Sequence, residues 1–144
     1  VNFGKEDINK LSDDEKIAIL ESSYNCIIKC LEFVNLNPAL PEQMNLYIND
    51  LKSKHSYKYQ DVDFQATSTN TLLTDVLNNR INDVRDLIEQ NDKLGVEDKY
   101  IERCGKRIDH FDNDNLIEIN KVRNEAMYKI FNAKKIILAN KNKK

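Results

Sequence analysis

Leu73, Leu77, Ile81, Val84 and Ile88 recur at intervals of four, four, three and four, which draws one narrow apolar seam along a helix from about Thr69 to Gln90. A strand would scatter the same five residues over both of its faces. The run holds too few heptads for a coiled coil, so the seam has to be buried against other parts of the chain. A second stripe, Ile119, Val122, Ala126, Ile130, Ala133 and Ile137, lies within about 80° of arc on a helical wheel and predicts a last helix that docks fully. The cluster "DNDN" at 112–115 supplies turn and capping chemistry just before it. With only 3 Gly and 2 Pro, the sequence has few turn-formers, and long helices are favoured over many short strands.

Ser12 followed by Asp13, Asp14 and Glu15 has the form of a capping box and starts a first helix near Asp13. Ile17, Leu20, Tyr24, Ile27, Ile28, Leu31 and Val34 share a broad face that carries it to about Asn35, where Pro38 and Pro41 stop it. Pro41 suits the first position of a second helix, with a stripe of Met44, Tyr47, Ile48 and Leu51 and an end near Lys54. Residues 55–68 lack a lasting helical period and read as a structured loop, although Tyr57, Tyr59, Val62 and Phe64 suit a short extended piece. Gly95 marks a break before a helix from about Val96 to Phe111. The expected fold is all-α: a single antiparallel bundle of four to five helices over residues 1–139, followed by a basic tail at 140–144.

The net charge of −2 conceals an asymmetry. Residues 1–115 hold 14 Lys/Arg against 22 Asp/Glu, whereas residues 116–144 hold 8 against 2. A moderately acidic chain is not a general polyanion binder, so any nucleic-acid role must rest on a local patch. Three cysteines without framework spacing, and no stretch near 18 apolar residues, predict a cytoplasmic or otherwise intracellular protein with no membrane role.

The local patch is in "ERCGKRIDHF", residues 102–111, together with Lys99. Lys99, Arg103, Lys106, Arg107 and His110 fall within roughly 100° of arc, and Tyr100, Ile101, Cys104, Ile108 and Phe111 share the adjoining one. One side of this helix should therefore pack while its neighbour presents donors in a row, the form that phosphate contacts need. The competing reading is a solvated face paired with Glu102, Asp109 and the acidic body of the chain. No aromatic residues interleave the stripe for base stacking.

Arg103 and His110 are seven residues apart and lie one above the other on the helix. This spacing resembles the arginine–spacer–histidine motif of HEPN domains, small helical bundles in which two protomers bring the pair together for metal-independent RNA cleavage. The resemblance implies that Arg103 stabilises phosphate charge and that His110 activates the 2′-hydroxyl or positions the phosphate. It covers eight residues of 144, and Cys104 stands where the family commonly has a polar residue. A second echo, "RNEAMY" at 123–128, has the polar Asn124 but Tyr128 in the histidine position; it reads better as Arg123 half-buried and placed to pair with an acid, with Tyr128 on the wet side.

Cys26 and Cys30 are one helical turn apart, yet no second pair completes a zinc set, and the bland reading is buried thiols at a helix contact. "DNDNLIEINKVR" has the start of a calcium loop but carries Ile117 in the glycine position and Arg123 in place of the closing Glu. His55 reads as a surface residue. No Gly-rich phosphate loop, nucleophile elbow or carboxylate dyad is present, so neither a catalytic residue nor a cofactor or metal is assigned. The leading expectation is a non-enzymatic interaction module that binds another protein through the basic helix or the exposed side of the Thr69–Gln90 helix. There, Val76 and Leu87 offer spare apolar positions for homo-oligomer formation. The alternative is an RNA-directed helical domain, either a binder through the basic face or a HEPN-like ribonuclease.

Overall fold

The chain opens with an extended segment that lies along a small sheet before any helix begins. In the computed structural model, which describes residues 1–142 and side chains as far as Asn140, Phe3 N–H donates to Tyr59 O at 2.8 Å. Asp61 N–H donates to Asn2 Oδ1, also at 2.8 Å. A 3₁₀ turn at Ile8–Lys10 leads to Ser12, whose hydroxyl accepts from Glu15 N–H while Glu15 reaches back to Ser12 N–H, so the predicted capping box is formed in full.

The helix expected over Asp13–Asn35 is two helices, α1 (Asp13–Glu21) and α2 (Cys26–Asn35). Between them Ser23 takes a φ of 60° and a 3₁₀ turn spans Ser23–Asn25. Ser22 Oγ donates to Ile19 O and Ser23 Oγ to Glu21 O, giving the backbone local partners that compete with a continuing helix. The break turns Tyr24 out to solvent, while Leu20, Ile27, Ile28, Leu31 and Val34 keep their place in the core.

The largest correction to the all-α expectation concerns residues 41–68. Pro41 begins only a 3₁₀ turn, Pro41–Gln43, and the predicted second helix is replaced by strand β1 (Leu46–Tyr47). Met44, Leu46 and Ile48 are all buried, an alternation that a strand-like path satisfies as well as the helical stripe would have. The segment expected as a structured loop is a β-hairpin, β2 (His55–Gln60) and β3 (Asp63–Ser68), with Tyr59 opposite Phe64 and Tyr57 opposite Ala66. β1 adds antiparallel to β2 with Tyr47 opposite Tyr57, giving the order β1-β2-β3. Tyr47 stacks on Tyr57 at 4.8 Å and meets Phe64 edge-on at 5.0 Å, so cross-strand aromatic pairs join the three strands. The fold of the described residues is thus α+β, mostly helical, with five main helices and a three-stranded antiparallel sheet.

The later helices follow the sequence closely. Ser68 caps α3 (Thr69–Glu89) by accepting from Thr71 N–H. A short α4 (Asn91–Leu94) ends on Gly95 with φ 75°, a left-handed position that glycine fills without a side-chain clash. The Asn91 side chain bonds both the N–H and the carbonyl of Val96. Helix α5 (Asp98–Asp112) buries Cys104 and Ile108, and α6 (Leu116–Asn142) buries Val122, Ala126, Ile130 and Ile137. Asn140 still lies within α6 and donates to Pro41 O; the expected tail at 140–144 otherwise falls on residues with no described side chains or, for 143 and 144, outside the described residues. Val76 and Leu87 of α3 are fully buried, because α3 packs against several neighbours, so they are not spare positions for self-association.

Candidate functional site

Helix α5 presents the predicted stripe, but the structure divides it in two. Toward its start, Lys99 is exposed, 3.7 Å from Glu97 and over the Tyr100 ring. Arg103 and Lys106 are exposed and, among the described residues, have no carboxylate partner. Toward its end, Arg107 and His110 are half-buried and engaged. Arg107 Nε donates to Tyr24 O at 3.0 Å, its Nη1 donates to Glu118 Oε2 at 3.0 Å, and the same nitrogen lies 3.4 Å from His110 Nδ1. The guanidinium also sits 5.9 Å from the centre of the Tyr24 ring.

The helix break explains this assembly. A straight helix over Asp13–Asn35 would continue past Tyr24; the turn instead delivers its carbonyl and ring to Arg107. From the other side, α6 begins so soon after α5 that Glu118, on its first turn, reaches back to the same guanidinium. Lys121 also donates to Glu118 at 3.0 Å, and these two hydrogen bonds, Lys121 first, hold the Glu118 carboxyl below the usual glutamate range. Around this group opens a cleft of about 570 Å³ bordered by Tyr24, Lys106, Arg107, Asp109, His110 and Glu118, with Asn113 and Asn115 at its α5–α6 turn. Leu116 and Ile117, 67% and 73% exposed, stand immediately before Glu118.

The arginine that touches His110 is therefore Arg107, three residues away, and not Arg103 of the HEPN-like spacing. A single chain offers here a hydrogen-bonding cleft of mixed charge, Lys106 and Arg107 against Asp109 and Glu118. Its more buried cation, Arg107, is already paired with Glu118, and among the described residues its outer one, Lys106, has no carboxylate partner. Sequence reading found the α5 residues and missed Tyr24, Asn113 and Glu118. Their role depends on the α1–α2 break and on the tight α5–α6 turn, where Asp114 has φ 54°.

The cysteines are all free and buried. Cys104 Sγ donates to Leu20 O at 3.2 Å; a hydrogen bond with Cys104 and then burial push the Cys26 thiol up, and burial pushes Cys30 up, so both stay protonated packing residues. His55 is exposed at the start of β2, as expected. Arg123 is half-buried and Tyr128 exposed, also as expected, but Arg123 bonds Thr74 Oγ1 and Asn70, which are neutral, and no acid. Among the described residues no helix is long and apolar enough to cross a membrane. No protein-family model, curated protein or solved structure matches the chain.

Proposed function

We propose that this protein is a non-enzymatic interaction module that binds an acidic segment of another protein at the corner where α5 meets α6. The observation that carries the reading is that consecutive helices α5 and α6 each expose side chains that nothing in the chain uses. Arg103 and Lys106 have, among the described residues, no carboxylate partner, and Leu116 and Ile117 at the start of α6 expose two consecutive aliphatic side chains. Exposed aliphatic residues are ordinary singly; two together, on the helix that follows a free cationic strip, fit a partner that brings carboxylates and one apolar side chain. Rim charges of this kind steer the encounter and set its salt dependence, and the aliphatic pair supplies the desolvated contact.

Paired capture experiments test this. Wild type, Arg103→Glu/Lys106→Glu and Leu116→Asp/Ile117→Asp, each confirmed folded by circular dichroism, serve as baits, with cross-linking to place the contact. The reading requires a partner that wild type retains, that cross-links to α5 or the start of α6, and that both variants lose. A partner retained by both variants defeats it, as does the absence of any partner combined with a strict monomer in light scattering.

The RNA-directed reading makes a different demand on the same residues. Arg103 and Lys106 would contact phosphates, and binding to labelled RNA would fall steeply with added salt. A HEPN-like nuclease would cleave without metal and lose cleavage, with its fold intact, on His110→Ala. We take this reading second, because the cation nearest His110 is already occupied by Glu118 and Tyr24.

A further inference from the structure

Five arginines occur in the chain, and three of them meet a carboxylate: Arg80 with Glu6, Arg85 with Asp112, and Arg107 with Glu118. Arg103 is exposed to water. Arg123 is the remaining case, half-buried yet held, among the described residues, by neutral acceptors alone, Nη1 on Thr74 Oγ1 at 2.9 Å and Nη2 on Asn70 O at 3.2 Å and Asn70 Oδ1. Burial lowers the pKa of Arg123, and no neighbouring carboxylate offsets it. A positive charge partly withdrawn from water without an anion is a cost that a ligand can relieve.

Arg123 borders an open cleft of about 490 Å³ between the turn after β1, the start of α3 and the middle of α6. Its charged lining is Lys52, Lys54 and Arg123, with no carboxylate. Among the described residues neither lysine has an ion pair, and the nearby Asp50 carboxylate accepts from Lys52 N–H at 2.9 Å. The positive end of α3, a helix of 21 residues, borders the same space through Ser68, Thr69 and Asn70. Leu51, Leu73 and Met127 add an apolar part to the wall, and the Asn120 and Asn124 amides stand at its α6 edge. On its other side Arg123 borders a second cleft containing Asp112 and Asp114, neither of which bonds it. Three cations and no acid, in a chain of net charge −2, point to one class of ligand.

We infer that this cleft binds a small organic phosphate, the phosphate held among Lys52, Lys54 and Arg123 and the apolar body laid on Leu51, Leu73 and Met127. Its volume is in the range of pockets that take small-molecule ligands. The site is separate from the α5–α6 corner, so either proposal can fail alone.

Phenyl phosphate, phenol and inorganic phosphate, titrated at constant ionic strength into the ¹⁵N-labelled full chain, test it. Phenyl phosphate is expected to shift the amides of Lys52, Lys54, Thr69 and Asn124 saturably, phenol to leave them in place, and inorganic phosphate to bind roughly tenfold more weakly for want of the apolar contact. Lys52→Gln/Lys54→Gln, whose side chains are exposed and whose spectrum should otherwise match wild type, is expected to weaken phenyl phosphate by about tenfold or more. Arg103→Gln/Lys106→Gln should not change it. The inference is overturned by no saturable shift, by equal affinity in the Lys52→Gln/Lys54→Gln variant, or by inorganic phosphate or phenol binding as tightly.

Discussion

Arg80 of α3 and Glu6 of the N-terminal segment, 74 residues apart, meet at 3.1 Å with both side chains sealed from water. The pair is the centre of a polar knot inside an otherwise apolar core. Arg80 also bonds Asn35 Oδ1, the Asn35 amide reaches Asn45 Oδ1 at 3.0 Å, and Asn45 returns to Glu6 at 3.2 Å. Gln43 joins the edge by accepting from Asp7 N–H and donating to Val34 O. The knot ties the N-terminal segment, α2, the approach to β1 and α3 at one point.

Removing one member should therefore cost much more than a surface pair would. Arg80→Ala leaves the Glu6 carboxylate buried without its cation, and a loss of about 3–5 kcal/mol is expected. Arg80→Met combined with Glu6→Leu should recover only part of that, since Asn35 Oδ1 would still lack the donor that Arg80 supplies. Urea denaturation of the two variants checks the order.

Asp83 gives the knot a pH dependence. Burial pushes its carboxyl up from 3.8 to about 6, against the opposing pull of Arg80, with Asp86 and Glu6 adding to the rise. Arg80 Nε is 2.9 Å from Asp83 Oδ2 but poorly aligned for a hydrogen bond, so the guanidinium does not fully offset the burial. The folded state holds this proton more tightly than the unfolded chain does. The associated stability is present below 3.8 and lost as pH rises through about 6. Asp83→Asn cannot titrate, so wild-type stability minus that of Asp83→Asn should fall between about pH 4 and pH 6.5 and then level off. A flat difference in urea midpoints across that range would contradict the assignment.

How much of this was legible in the sequence depended on whether a residue's role was set locally. The capping box at Ser12, the α3 seam, the Gly95 stop and the α6 stripe are periodic or local signals, and all appear where expected. The sheet was hidden because Met44 and Ile48 fit a helical spacing and a strand alternation alike, and pairing partners for β1 lie beyond any local window. Arg80 did leave a trace: seven residues after Leu73 and three after Leu77, it is a cation placed in the apolar seam. Its partner in the N-terminal segment left none. The same holds for the α5 stripe, where sequence gives the helix face but not which cations the rest of the chain reaches.

Ser23 tests the break that produces the Tyr24 contact. Its φ of 60° lies in the left-handed region, which costs an ordinary residue about 1–2 kcal/mol and glycine little. Ser23→Gly is expected to leave the structure unchanged and gain up to about 1 kcal/mol, whereas Ser23→Val should lose at least that much. Thermal unfolding of both variants reads the difference, and equal melting temperatures would mean that the turn does not hold this conformation.

Arg103 and Arg107, one helical turn apart on α5, should separate cleanly. Arg103→Ala removes an exposed side chain with no described acidic partner, and stability should change by less than about 0.5 kcal/mol. Arg107→Ala removes the bond to Tyr24 O that joins the α1–α2 turn to α5, and a loss of about 1 kcal/mol is expected. Function should show the opposite order, because an unpaired cation is the one available to a partner: charge reversal at Arg103 should weaken capture more than Arg107→Lys, which keeps the charge beside Glu118. Denaturation midpoints and capture yields measured on the same preparations decide it. If Arg107→Lys abolished capture while Arg103→Glu did not, the half-buried cleft and not the exposed strip would be the surface that the partner reads.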